Sequence, residues 1–173
     1  AYTGDISAEM IKKIGCKYVL IGHSERRTIF NESDEILKTK MKRALEQRLK
    51  VIFCVGESLT QFKQGKSIPC IIKQITKAFD KDIDFKKVII AYEPIWAIGT
   101  NITPKMQEID YIHNKIKEAM KRHFNIIKIP ILYGGSVKAA NSADIFSLKN
   151  VDGGLIGGAS LIASEFCKIY DTL

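Results

Sequence analysis

Tryptophan occurs once and proline four times in these 173 residues, histidine three times, and arginine supplies only five of the 27 basic side chains. Each scarcity removes a class of reading. The four cysteines, Cys16, Cys54, Cys70 and Cys167, lie far apart without CxxC or zinc-type spacing, so neither a disulfide framework nor a structural zinc is expected. Cys16 and Cys54 fall in apolar stretches and read as small buried hydrophobes. A reducing, cytoplasmic compartment fits this usage best. No apolar run approaches the roughly 20 residues of a membrane span, so no membrane association is expected. There is no GxGxxG turn and no Walker-type loop to hold a dinucleotide or nucleoside triphosphate. The C-terminus, Asp171-Thr172-Leu173, is not a Ser-Lys-Leu address. His113 and His123 lie ten positions apart on a helical stretch, without ligand spacing, and read as structural. No metal and no cofactor are expected. The net charge of +8 rests on 22 lysines spread over helical segments. With no arginine cluster and no aromatic-interleaved basic stripe, it describes solvated faces rather than a nucleic-acid surface.

What is present is alternation. Short apolar runs at 18–23, 51–57, 88–92, 129–133 and 153–156 read as strands. Helical patterns separate them at 33–48, through Ile71, Ile75 and Phe79, at 104–123, at 139–148 and at 161–170. Ser33 is placed as an N-cap, and Pro104 is placed at a first helical position. A further helix at 6–14 precedes the first strand. Continuous apolar strands imply a parallel sheet buried on both faces, and five βα units imply a doubly wound sheet or a barrel. No linker, repeat or low-complexity tract interrupts residues 1–173, so one domain is expected.

The chemistry-bearing residues gather at the C-terminal ends of the strands, where both α/β architectures place their sites. Glu93 ends the run Val88-Ile89-Ile90-Ala91-Tyr92. Pro94, which has no N–H to donate, then stops the ladder. The loop that follows, Pro94, Ile95, Trp96, Ala97, Ile98, Gly99 and Thr100, is apolar and ends on a glycine. A carboxylate beside such a loop suits a general base under a lid that excludes water. His23 occupies another strand mouth. The turns Gly134-Gly135-Ser136 and Gly157-Gly158-Ala159-Ser160 each link a strand to a helix, as a phosphate cradle requires. A base, an imidazole donor and a phosphate anchor suit proton transfer next to a carbonyl. Glu25 and Arg27 form either an ion-paired cluster or an orienting group for His23.

Six segments, Tyr2-Thr3-Gly4, Ile21-Gly22-His23-Ser24-Glu25-Arg26-Arg27, Cys54-Val55-Gly56-Glu57-Ser58, Ala91-Tyr92-Glu93-Pro94-Ile95-Trp96-Ala97-Ile98-Gly99-Thr100, Tyr133-Gly134-Gly135-Ser136-Val137 and Gly157-Gly158-Ala159-Ser160-Leu161, together resemble the triosephosphate isomerases. The match runs in order over essentially the whole chain. The resemblance implies strands four to eight of a (β/α)8 barrel and cofactor-free interconversion of dihydroxyacetone phosphate and D-glyceraldehyde 3-phosphate. Glu93 would carry the proton, and His23 would polarise the carbonyl as neutral imidazole, with Ser24 and Glu25 supporting it. Gly99, Ser136, Gly157 and Gly158 would hold the phosphate beneath the lid. Tyr2-Thr3-Gly4 would end a loop that enters a partner subunit, so a homodimer is expected.

The chain departs from that pattern in two places. The family's Asn-x-Lys segment, whose lysine contacts substrate, is absent from the sequence, and a barrel of about 250 residues would place about 75 more on the N-terminal side. Five strands do not close an eight-stranded barrel. The expectation is a fragment, inactive or nearly so by itself. After the lid, Thr100 is followed by Asn101-Ile102-Thr103-Pro104, a shortened hinge. The rival expectations are a non-catalytic half-barrel that needs a partner chain, and another phosphate-binding barrel such as a sugar-phosphate epimerase.

Overall fold

The computed structural model describes residues 3–100 and 102–173. Tyr2 and Asn101, which carry the subunit-loop and hinge expectations, lie outside the described residues. Thr3 and Gly4 form an exposed turn.

Four parallel strands, β1 (Tyr18–Ile21), β2 (Lys50–Val55), β3 (Val88–Tyr92) and β4 (Ile131–Tyr133), lie in the order β1-β2-β3-β4. Each strand sits beside its predecessor in the chain. Right-handed crossovers then place every helix on one face, as in a barrel wall and unlike a doubly wound sheet. Along the strands Ile21, Val51, Phe53, Val55, Val88, Ile90, Tyr92, Ile131 and Tyr133 point into the main core. They meet Leu37, Met41 and Ala44 of α3 (Asp34–Glu46), Ile71, Ile75 and Ala78 of α5 (Ser67–Ala78), and Ile109, Ile112, Ile116 and Met120 of α6 (Met106–Phe124). The three-and-four spacing of those helical positions produces one apolar stripe per helix. Ser33 caps α3 as expected, its Oγ accepting the Ile36 N–H at 3.3 Å, a contact worth about 1 kcal/mol.

The opposite face of the sheet carries Leu20, Ile52 and Ile89 in one register row and Cys54, Ala91 and Leu132 in the next. The sequence implied that both faces are buried, yet Leu20 is 46% exposed and Tyr18 is exposed beside it. A wall of four strands does not curve far enough to pack this face against itself. The fifth strand is a second correction. Residues 153–156 make only one bridge, Tyr133 to Gly154, because Gly153 and Gly154 bring no side chains to a pleated surface and no further strand lies beyond them.

Shorter departures have local causes. A separate helix, α4 (Leu59–Lys63), follows β2 before α5 begins. Pro104 is not the first residue of α6. Lys105 is its N-cap, with extended backbone, and the Glu108 carboxylate accepts the Lys105 N–H at 2.9 Å. Cys16 is exposed rather than buried. It sits in the turn between α1 (Ala8–Lys13) and β1, and α1 has no buried residue to pull that turn inward. The last two helices, α7 (Ala139–Phe146) and α8 (Ala163–Tyr170), complete the layer. Among the described residues no helix is long and apolar enough to cross a membrane.

His113 lies fully buried on α6, its ring centroid 5.8 Å from that of Tyr92 and 6.4 Å from that of Tyr133. Nδ1 is 3.3 Å from the Asn150 carbonyl, so Nδ1 carries the proton. Burial pushes the imidazole down to about 4. Below about pH 6.5 the unfolded chain therefore takes up a proton that the folded chain refuses. Stability is undiminished above that point and is lost as the pH falls toward 4, by about 3 kcal/mol for this group alone. Denaturant titrations at pH 7 and pH 4 should show this loss reduced by that amount in His113→Phe. An equal loss in both proteins would overturn the assignment.

Candidate active site

Glu93 is the first residue after β3. Its N–H bonds the Val55 carbonyl at 2.8 Å, which continues the ladder one step beyond the strand. Its carboxylate turns into the sheet's C-terminal mouth and is 2% exposed. One oxygen, Oε2, accepts the Ser24 N–H at 3.2 Å. The other, Oε1, lies 3.3 Å from His23 Nε2.

His23 caps α2 (Ser24–Thr28), its Nδ1 accepting the Glu25 N–H at 3.3 Å. Because Nδ1 accepts, the neutral ring carries its hydrogen on Nε2, directed at Glu93. Glu25 thus orients His23 through its backbone. Its carboxylate is largely exposed and reaches only 4.0 Å from Nδ1. Arg27 fixes the neighbouring backbone: Nε donates to the Gly22 carbonyl at 2.8 Å and a terminal nitrogen to the Cys54 carbonyl at 3.2 Å, while Asp34 pairs with it at 2.8 Å.

Burial pushes the Glu93 carboxyl above its ordinary value, opposed in part by the neighbouring His23 ring and the Ser24 N–H. A carboxylate raised in this way is a stronger base than an exposed one. Cys54, fully buried beside it, has its own thiol pushed up by burial and by the Glu93 charge.

Glu93 and His23 line a cavity of about 530 Å³ together with Ile98 and Gly99 of the lid and Gly135, Ser136, Gly157 and Gly158 of the two glycine turns. The backbone N–H groups of Gly135, Ser136 and Gly157 find no acceptor among the described residues. Unpaired donors on residues that line one cavity suit an anion. Lys138 also lines this cavity.

The glycines have a second role that local pattern does not reveal. A Cβ on Gly135 would meet the Tyr133 hydroxyl at 2.2 Å. This turn must therefore clear the ring beneath it.

The segment 94–100, expected to form a lid, starts as a 3₁₀ turn, Ile95–Ala97. Its Trp96 Nε1–H donates to Glu57 Oε1 at 3.0 Å, and the Tyr92 hydroxyl donates to the same oxygen at 3.2 Å. Glu57 is fully buried at the end of β2, and burial pushes its carboxyl up. The sequence placed Glu57 at the strand-end face but gave it no part in the site, and no local signal there points to the 94–100 loop. Of the remaining anticipated positions, Ser24 contributes its N–H, whereas Pro94, Ile95, Trp96, Ala97 and Thr100 of the expected lid do not line the cavity.

Comparison with known proteins places these features in context. The family model for triosephosphate isomerase matches residues 1–173. The triosephosphate isomerase of Chloroherpeton thalassium is 46% identical over 175 residues, which cover 98% of this chain and 69% of the relative. That of Chlorobium luteolum is 42% identical over 172 residues, 98% of this chain and 69% of the relative. The crystal structure of triosephosphate isomerase from Bartonella henselae superposes with a TM-score of 0.92 at 40% identity, covering 99% of this chain and 70% of that one.

Proposed function

The chain belongs to the triosephosphate isomerase family, and from that premise we propose that it carries the proton-transfer half of an enzyme interconverting dihydroxyacetone phosphate and D-glyceraldehyde 3-phosphate in the cytoplasm. The family match sets aside the sugar-phosphate epimerase. The observation that carries the proposal is that one cavity is lined by the buried Glu93 carboxylate, by His23 with its Nε2 3.3 Å from that carboxylate, and by three residues whose backbone N–H groups have no acceptor. Triosephosphate isomerase is itself the standard example of this Glu/His chemistry.

The substrate phosphate binds the N–H groups of Gly135, Ser136 and Gly157, placing the three-carbon chain between His23 and Glu93. Entry of substrate parts the 3.3 Å contact between those two side chains. Glu93 takes a proton from the carbon next to the carbonyl, and the carbonyl oxygen gains negative charge. His23 Nε2–H donates to that oxygen; neutral imidazole is a weak enough acid to stabilise the enediolate without surrendering its proton early. His23 then passes its Nε2 proton to that oxygen and takes up the proton of the adjacent hydroxyl, which becomes the new carbonyl, while Glu93 returns its proton to the former carbonyl carbon. The lid keeps water from the enediol, whose phosphate would otherwise leave.

Two features limit the chain by itself. None of its residues forms the family's Asn-x-Lys, and the barrel-interior face with Leu20 lies open. Exposed apolar side chains at both ends of the sheet, Tyr18 and Leu20 at one and Leu161 and Ile162 at the other, also suit a half-barrel completed by a partner chain. Loss of one charge-stabilising group costs about 10²- to 10³-fold in turnover. Isomerisation by the purified chain should therefore fall at least that far below a chimera carrying the N-terminal 31% of the Chloroherpeton relative, the share left by the 69% match. Equal turnover would remove the claim of incompleteness. A chimera that neither turns over nor binds a triose phosphate would remove the isomerase reading.

A further inference from the structure

The lid's indole is held from two sides, and one of the holders has no part in the reaction above. Besides its bond to Glu57, the Trp96 ring lies on the ring of Phe62, centroids 4.4 Å apart and planes inclined by 33°. Phe62 belongs to α4, which is locked by a reciprocal cap: Ser58 Oγ accepts the Gln61 N–H at 3.3 Å and Gln61 Oε1 accepts the Ser58 N–H at 2.9 Å. Glu57 and Phe62 therefore come from one rigid turn rooted in β2. Trp96 sits in a segment whose Gly99 is exposed and whose backbone is anchored early, by the Ile95 N–H on the Glu57 carbonyl at 3.2 Å.

We propose that Phe62 is a positioning residue for the lid. By stacking on Trp96 it holds residues 94–100 in the placement seen here, and so sets the free-energy difference a phosphate ligand overcomes in moving the lid. Glu57 cannot be tuned alone in this way, since it is buried and also bonds Tyr92 in the core. Phe62 is half-exposed and packs on the lid from outside. An offset aromatic pair of this kind shifts a two-state equilibrium about two- to tenfold. The inference rests on reading Glu93 and its loop as isomerase machinery.

Trp96 is the chain's one tryptophan, so its fluorescence reports on the lid alone. In Phe62→Leu, acrylamide quenching of Trp96 and hydrogen exchange at the Ala97 and Ile98 amides should rise about two- to tenfold. Phe62→Tyr, which keeps the ring, should restore both, and the unfolding midpoint should stay within the wild-type range in each variant. Affinity for glycerol 3-phosphate, which has the phosphate but no carbonyl to isomerise, should tighten by the same factor in Phe62→Leu only. Unchanged quenching and exchange in Phe62→Leu overturn the proposal, as does an affinity that stays level or weakens. If no form of the chain binds glycerol 3-phosphate, the isomerase reading fails, while quenching and exchange in the free chain still decide whether Phe62 holds the lid.

Discussion

Glu93→Gln in the chimera is expected to lower isomerase turnover by about 10³-fold or more while making the chain more stable. The first effect follows from chemistry: an amide of the same shape accepts hydrogen bonds but takes no proton from carbon. Positioned acid–base catalysis contributes about 10²–10⁴ to a rate. The second follows from the carboxyl's environment. Glu93 is 2% exposed, and burial raises its proton affinity, so the folded state disfavours the charged form relative to water. A neutral amide escapes that cost and its oxygen still accepts the Ser24 N–H, now 3.2 Å from Oε2; its –NH2 then faces the His23 Nε2–H, a lost bond at a partly exposed ring that offsets only part of the gain. A structural carboxylate would behave in the opposite way, because removing it would strand Ser24 and His23. The pH profile provides an independent reading: the acid limb of kcat/KM should lie above the ordinary glutamate range. Steady-state kinetics and thermal melts on the same preparations check both effects. A destabilised variant with near-normal turnover would assign Glu93 to the fold and not to the reaction.

Where the chain signals structure locally, the sequence was legible. Val88–Tyr92 is a strand with those ends because a β-branched run is bounded by a lysine pair and by Glu93-Pro94. Ser33 caps its helix because a serine before an apolar stripe has few better uses for its oxygen. The site was legible as residue types at strand mouths, and parallel βα order alone carries His23, Glu93 and both glycine turns to one end of the sheet. Contacts that cross the chain were not written there. Nothing near Phe62 says that it will meet Trp96, because α4 is too short to show periodicity and its cap fixes a direction that only the fold interprets. Residues 153–156 have the apolar ending of a strand, but pairing depends on neighbours, and theirs lie on one side only. Cys16 has apolar neighbours in sequence and solvent in space.

Gly56 is the sharpest case of a requirement invisible in the sequence, and Gly56→Ala should be the most destabilising single methyl in the chain. A Cβ there would sit 1.8 Å from the Glu93 carbonyl oxygen, 2.7 Å from its carbonyl carbon and 3.4 Å from its Cα. All three are backbone atoms, so no side-chain rotation relieves the overlap. Nor is Gly56 free to retreat, since the Gln74 amide grips it from α5, accepting its N–H at 2.9 Å and donating to its carbonyl at 2.8 Å. The ends of β2 and β3 must therefore separate, straining the Glu93 N–H bond to the Val55 carbonyl. Overpacking that side chains absorb costs about 1–3 kcal/mol; here, with backbone on both sides, about 3 kcal/mol or more is expected, in the range reserved for a few severe mechanisms. Gly158→Ala supplies the contrast: it opens the 3₁₀ turn Gly158–Leu161 and a Cβ there meets nothing within 4 Å, so its stability should stay within about 0.5 kcal/mol of wild type. Urea unfolding of the two variants side by side measures the difference. Because the displaced backbone belongs to Glu93, any folded Gly56→Ala chimera should also lose turnover through kcat more than through KM, the sign of a base moved off its proton rather than of weakened phosphate binding. Equal stability of the two alanine variants would mean that β2 and β3 tolerate separation at the base of the active site, and the close approach at Gly56 would lose its structural meaning.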